Sequence, residues 1–331
     1  MLYVLAMIAH AVEWSAGRMV ALPLVTSTRV AGPRLAAATT TRGTSTGAMT
    51  SRRFTARSAA ASTAPVCPSP TSPSPTSPVP VPRVSAAAAR VGLTLTVLGF
   101  ALDLGGVVLR GLAAQRAPWG NMLEFLTAAM VLVVGGYLVL VRRAGLGWLG
   151  LPVTLLAALG NGLAVTVFYV AVAPLVPALH SVWFLIHIAG ATVSAAAFNL
   201  GAATSVLYLI RRNAERRGQV QGHLCRLPTA AQLDVWAYRF NAFAFPLWTF
   251  TVAAGAVWAE YAWGRYWGWD PKETWALVTW VIYACYLHAR ATAGWRGRNA
   301  AIIAIVGVAV FWFNFIGINL LVTGLHSYAG V

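Results

Sequence analysis

The sequence predicts an all-α polytopic membrane protein of about eight transmembrane helices with a Trp-rich loop on its outer side. Three observations carry this. Hydrophobic residues make up 58% of the 331-residue chain, charged residues only 10%, and the mean hydropathy is +0.68, a balance foreign to soluble domains. Apolar runs recur from Val91 onward, each near the roughly 20 residues that a spanning helix needs. The cations fall in alternate connecting segments. The net charge of +16, from 24 Lys+Arg against 8 Asp+Glu, is therefore put to use in topology, and no nucleic-acid partner is implied. Cys67, Cys225 and Cys285 are far apart and form no CxxC pair. They define neither a disulfide framework nor a zinc site, and the protein is not itself a thiol–disulfide carrier.

Residues 1–25 are read as a first transmembrane helix, an imperfect one. LYVLAMIAHAVEW at 2–14 is apolar but short, and Met19–Val25 would extend it. A signal peptide is the rival, but the basic n-region and small-residue cleavage site are lacking. Residues 26–90, rich in Ala, Ser, Thr, Pro and Arg and including PSPTSPSPTSPVPVP, cannot bury a core. They are expected to form a disordered cytoplasmic linker. Residues 91–331 make up the transmembrane domain, with spans expected at about 91–113, 122–141, 146–171, 183–210, 241–260, 272–289 and 300–323.

Arg142 and Arg143, the arginines of the 211–239 loop, and Arg290, Arg296 and Arg298 then share one membrane face with the linker arginines. The positive-inside rule makes that face cytoplasmic. The loops at 114–121, 172–182 and 263–275 and the C-terminal tail face outward.

The densest chemistry lies in Trp263–Trp275, WGRYWGWDPKETW. It gathers Trp263, Tyr266, Trp267, Trp269 and Trp275 around Gly264 and Gly268. Asp270 reads as an N-cap, Pro271 as the first helical residue and Glu273 as the acid of a capping box. Trp and Tyr collect at membrane interfaces as a matter of course. A belt places one or two rings at a helix end, however, whereas five rings in one Gly-spaced loop suit a platform for a flat aromatic ligand.

The histidines sharpen that reading. His187 lies near the outer end of its span, and His326 follows the last span, just after Gly324. His288 stands eighteen residues past Asp270 on one helix, so roughly 27 Å deeper, toward the cytoplasmic side. A single membrane histidine is often just a hydrogen-bonded packing residue, although ionisable groups in spans are functional candidates by default. Two outward histidines flanking a Trp-rich shelf point further. Imidazole is a standard axial ligand for haem iron, and a porphyrin is a flat apolar ring that stacks on indoles. His10, His180 and His223 carry no assigned role.

WGRYWGWDPKETWALVTWVIYACYLHAR closely resembles the tryptophan-rich WWD signature of a haem-handling superfamily. With GINLLVTGLHSYAG at 317–330 it is similar to the CcsA/ResC branch (CcsB-type), the membrane subunit of system II cytochrome c biogenesis. PWGNMLEF at 118–125 and SVWFLIHIAGATVSAAAF at 181–198 add to the likeness, which runs from about 91 to the end. The N-terminal quarter matches nothing in it.

The resemblance implies that haem b, as a substrate in transit, crosses the plasma (inner) membrane and is presented to the CxxCH sequence of apocytochrome c on the outer face. It implies His187 and His326 as external axial ligands of the haem iron and His288 as the membrane-embedded ligand of an inner site. Trp263, Tyr266, Trp267, Trp269, Asp270 and Trp275 would form the haem-binding shelf, with Asp270 and Glu273 mainly a capping pair. Arg265 and Lys272 are candidate partners for the haem propionates. The implied partners are a ResB-type membrane subunit, apocytochrome c and a thiol-reducing protein. Enzyme status would come only as part of a thioether-forming haem–cytochrome c synthase complex, in which haem and substrate supply the bond-making groups and this chain supplies position. Three other classes stay open: a haem exporter or chaperone without ligase action; an electron-transfer cytochrome b-type subunit, which would need paired histidines within the helices; and a purely structural channel or scaffold with aromatic belts, which would be colourless when purified.

Overall fold

A computed structural model describes residues 1–15, 83–292 and 294–326. The described residues are helical throughout, with α1 at Leu2–Ser15, α2 at Arg83–Ala114, α3 at Met122–Ala144 and α4 at Gly150–Thr166. Then follow α5 at Val182–Arg216, α6 at Ala230–Trp263, α7 at Pro271–Ala291 and α8 at Arg298–Trp312. A π-helical turn at Phe313–Gly317 carries α8 into the short α9, Ile318–Leu321.

Six stretches are long and apolar enough to cross a membrane: α2 from Ser85, α3, α4 with the turn before it (Gly147–Thr166), α5, α6, and α8 through α9 (Arg298–Leu321). The protein is thus an all-α, multi-pass membrane protein. The α1 helix is shorter, at 14 residues. The α7 helix is long enough, but Trp, Tyr, His288 and Arg290 lower its hydropathy.

Several boundaries differ from the expected ones for local reasons. The linker expected over 26–90, and the 16–25 part of the first span, lie outside the described residues up to 82. The α2 helix starts at Arg83, ahead of Val91, because the SAAAAR run is strongly helix-forming. The α6 helix starts at Ala230, ahead of 241. Thr229 accepts a hydrogen bond from Gln232 N and the Gln232 side chain takes Thr229 N–H, a capping box that builds a polar extension onto the apolar span.

The most extensive helix pair is α5 with α6. Small residues make their approach close: a Cβ on Gly190 would lie 2.4 Å from Thr251 Oγ1, and one on Gly201 would lie 2.7 Å from Asn241 Oδ1. Close backbone approach is what drives helix association where lipid is as apolar as the side chains. The α8 helix joins them through Trp312 Nε1–H, which donates to Asn199 Oδ1 at 3.0 Å.

The bundle has two unlike ends. At one, Arg290 grips Asp234 with two parallel hydrogen bonds of 2.8 and 2.9 Å, Arg211 donates to the Leu224 carbonyl and Arg226 to the Glu13 carbonyl. This is the end where the sequence clusters its arginines. At the other end the 114–121, 172–182 and 263–270 segments and the 322–326 stretch converge.

Glu124 organises the second end. Its side chain is fully buried yet accepts from Arg110 Nε at 2.9 Å, from Arg116 Nη1 at 2.7 Å and Nη2 at 3.2 Å, and from Gly120 N at 2.7 Å. Arg110 also donates to the Val170 carbonyl at 2.7 Å and Arg116 to that of Ala173 at 3.4 Å. One carboxylate thus ties the α2–α3 loop to the α4–α5 loop. Glu124→Ala leaves two half-buried guanidinium groups without their counter-charge; breaking a fully buried pair costs about 3–5 kcal/mol, and the partial exposure here brings the loss below that. The expected result is a clear drop in melting temperature of the detergent-purified protein, followed by scanning fluorimetry, with Glu124→Gln falling between wild type and Ala.

Candidate functional site

The capping box expected at the start of α7 is present. Glu273 Oε2 accepts from Asp270 N at 3.1 Å and Asp270 Oδ1 from Lys272 N at 3.0 Å, with Pro271 in the first turn. Gly264 ends α6 in the left-handed region at φ 68°. Only 265–269 separate the two helices, so the loop is taut. Trp269 takes a left-handed φ of 57°, which a non-glycine residue adopts at a cost of order 1–3 kcal/mol.

Asp270 does more than cap. Its Oδ1 also accepts from His326 Nδ1 at 2.8 Å, and its Oδ2 accepts from Leu325 N at 2.8 Å. The end of the last span is thereby pinned to the Trp-rich loop. A Cβ on Gly324 would lie 2.7 Å from Asp270 Oδ2, so glycine is required there for close approach. Burial alone would raise the Asp270 carboxyl, but the His326 hydrogen bond and the two backbone N–H donors outweigh it and hold it at about 2. Burial depresses His326, and the nearby Lys272 charge adds to that, against the opposing pull of Asp270. At neutral pH the pair is a carboxylate accepting from a neutral imidazole.

That arrangement fixes the tautomer. A carboxylate can only accept, so Nδ1 of His326 carries the hydrogen and Nε2 carries the lone pair. His187 repeats the pattern: its Nδ1 lies 2.8 Å from the Thr251 carbonyl, which again can only accept. Each histidine therefore carries its lone pair on Nε2, and each ring is oriented by a hydrogen bond at Nδ1. The α6 helix makes room for the ring, since a Cβ on Gly255 would lie 2.7 Å from His187 Nδ1.

Trp258 links the two imidazoles. Its ring centre lies 5.8 Å from that of His187, nearly parallel at 20°, and 5.7 Å from that of His326. The two imidazole centres are therefore no further apart than those distances together, about 11.5 Å. Trp263 closes on His326 at 4.9 Å. The Trp258 indole is held in turn by a 2.8 Å hydrogen bond to the Ala178 carbonyl.

These groups border a cleft with about 1150 Å³ of space, including the part open to solvent. Both histidines, Trp263, Tyr266 and Trp267 line it, with Trp119, Trp248, Trp258, Phe125, Phe184, Phe311 and Phe315. The remaining candidates lie elsewhere. Trp269 is 69% exposed and outside the lining, and Trp275 packs its ring on Phe313 at 4.5 Å. His288 sits exposed in the last turn of α7, at the arginine-rich end. His180 is exposed and lies 3.2 Å from the Leu175 carbonyl.

Other contributors escaped the sequence reading. Trp258 stands inside an apolar span, where an aromatic residue reads as core. Asn314 enters the lining from the π-helical turn, and no sequence pattern announces such a turn. Trp119 lies in PWGNMLEF, whose likeness to a family was noticed without a role. His10 is buried in α1, although no second deep histidine was expected, with its ring closely set against Gly92 and Gly150.

Residues 119–326 match the family described as cytochrome C assembly protein. The chain belongs to that family. Among its relatives are proteins named cytochrome c biogenesis protein CcsA. The one from Parasynechococcus marenigrum is 36% identical over 277 residues, covering 73% of this chain and 88% of the relative. The Mesostigma viride protein is 35% identical over 245 residues, 66% of this chain and 80% of the relative. With the Chlamydomonas reinhardtii protein identity reaches 46% over 155 residues, 47% of this chain and 43% of that longer protein. This CcsA-type protein acts in cytochrome c biogenesis, a process that involves haem and apocytochrome c. The family match covers the whole cleft, from Trp119 to His326.

The Gly255 contact yields a test. Gly255→Ala puts a methyl against His187 while leaving every candidate ligand in place. Disturbing the support of a metal-binding imidazole costs about 10–100-fold, so cytochrome c accumulation in cells dependent on this chain should drop on that scale. Haem-stained gels against an unchanged immunoblot of the membrane protein would read it.

Proposed function

We propose that this chain carries haem b across the membrane and holds it on the extracytoplasmic face for covalent attachment to apocytochrome c. The observation that carries the reading is the pair of imidazoles that both pack against Trp258, each with Nδ1–H held and Nε2 as the lone-pair atom, in the lining of an indole-walled cleft. Two imidazole ligands and flat apolar walls suit a metalloporphyrin and little else of that size.

The arginine-rich end is taken as cytoplasmic by the positive-inside rule, which puts the cleft and its Trp-rich loop outside. The haem is cargo in this scheme. His187 and His326 bind its iron, the indoles and phenyl rings bind its faces, and the cleft turns its vinyl edge toward solvent. Each of the two thiols of an incoming CxxCH segment adds across one vinyl C=C; sulfur bonds to one carbon and the hydrogen ends on the other. The substrate histidine then takes one axial position and releases the product. This chain supplies alignment and iron ligation, which convert a two-body encounter into a reaction of held partners.

His288 is the inner ligand of the scheme. Its exposure at the end of α7 suits a ligand completed by a second, ResB-type membrane subunit. Trp269 and Trp275 act in support, one on the outer rim and one at the junction with the π-helical turn.

His187→Ala and His326→Ala should each strip the outer-site haem from a protein that still inserts in the membrane. The check is the Soret and α-band absorption of the purified complex. Exogenous imidazole should restore part of the signal, because it can replace the missing ligand in the space left behind. An unaltered spectrum in both variants would rule the ligand pair out.

A further inference from the structure

The lining of the cleft is mostly apolar, and a few of its polar atoms are unsatisfied. Trp119 Nε1–H is buried without a hydrogen-bond acceptor, and Asn314, 7% exposed, has a buried Oδ1 without a donor. Buried polar atoms in native proteins almost always find a partner, and exceptions call for an explanation such as a bound group.

Lys272 belongs to the same lining. Its backbone N–H goes to Asp270, but no carboxylate or carbonyl among the described residues receives a hydrogen bond from its ammonium. The two acids nearby are engaged. Asp270 is taken up by His326, Leu325 and the Lys272 backbone. Glu273 Oε2 accepts from Gly268 N and Asp270 N and faces Arg265 at 3.9 Å. Arg265 lies outside the cleft lining, so Lys272, whose amine burial holds down to about 7 against the pull of Asp270, is the lysine or arginine side chain that the lining offers a ligand. Glu273 Oε1, also buried and without a donor, leaves a like charge on the wall and so disfavours a second anion there. Lys272 lines the same cleft as His187 and His326, the two histidines that would hold the iron of the proposed cargo.

We infer that Lys272, helped by the Trp119 N–H, is a subsite for one carboxylate of the ligand, and that it fixes which edge of the porphyrin faces outward. The inference rests on the haem reading above. A porphyrin bearing carboxylates at one edge and vinyl groups at the other can enter the cleft either way round; one ammonium at the wall removes that ambiguity.

The test is titration of the purified full-length protein with ferric haem and with ferric haem dimethyl ester, whose carboxylates are masked. Wild type should bind free-acid haem at least tenfold more tightly than the ester. Lys272→Met should lose that preference by weakening free-acid haem alone, Lys272→Arg should keep it, and Trp119→Phe should reduce it in part. The two-imidazole spectrum should persist in all of them at saturating haem. Equal affinity of wild type for acid and ester, or an equal loss for both in Lys272→Met, would overturn the subsite while leaving the haem reading intact. A wild type that binds neither would overturn both. The wild-type comparison decides the matter even where a variant fails to fold.

Discussion

Everything at the Trp-rich end depends on one carboxylate. Asp270 receives His326 Nδ1–H and the backbone N–H groups of Leu325 and Lys272, so three donors from two distant chain segments meet on two oxygen atoms. It ties down the residues after the last span, 322–326, which are not helical. The same contact chooses the tautomer of His326 and, by its negative charge, increases the basicity of the ring as a ligand. Folding the loop and preparing the ligand are one event.

His187 is held more rigidly and by different means. It projects from a long helix into a gap made by Gly255, and its outer hydrogen bond goes to a main-chain carbonyl of the neighbouring span. One imidazole is thus fixed in the helix bundle and the other is fixed to a loop. On the haem proposal, that asymmetry would let the loop-borne imidazole leave while the helix-borne one stays. Glu124 supports the opposite wall, anchoring the segment that carries Trp119.

Much of this was legible in the sequence, and the parts that were not have physical reasons. Composition and apolar run length gave the helices, since a bilayer imposes both. The alternation of arginines gave two unlike ends. Asp270-Pro271 with Glu273 gave the start of α7, because a capping box is written in three or four consecutive residues. Long-range partners were hidden. Asp270 was read as a cap, and its bond to His326 joins residues 56 apart. Trp258 stands in an apolar span where an indole is unremarkable until both imidazoles are seen beside it. Asn314 depends on a π-helical turn that has no sequence signature. The five aromatic residues of the loop looked alike in the chain; geometry divides them, with Trp263, Tyr266 and Trp267 at the cleft, Trp269 outward and Trp275 against Phe313.

The central claim is that two imidazoles from distant parts of the chain meet on one iron. Electron–nuclear double resonance of the ferric haem-loaded protein, prepared with ¹⁵N-histidine, measures it directly. Two histidine nitrogens coupled to a single low-spin iron, falling to one on substitution of either His187 or His326, is the result this account predicts. Coupling to one histidine in the wild type, or coupling indifferent to both substitutions, would contradict it.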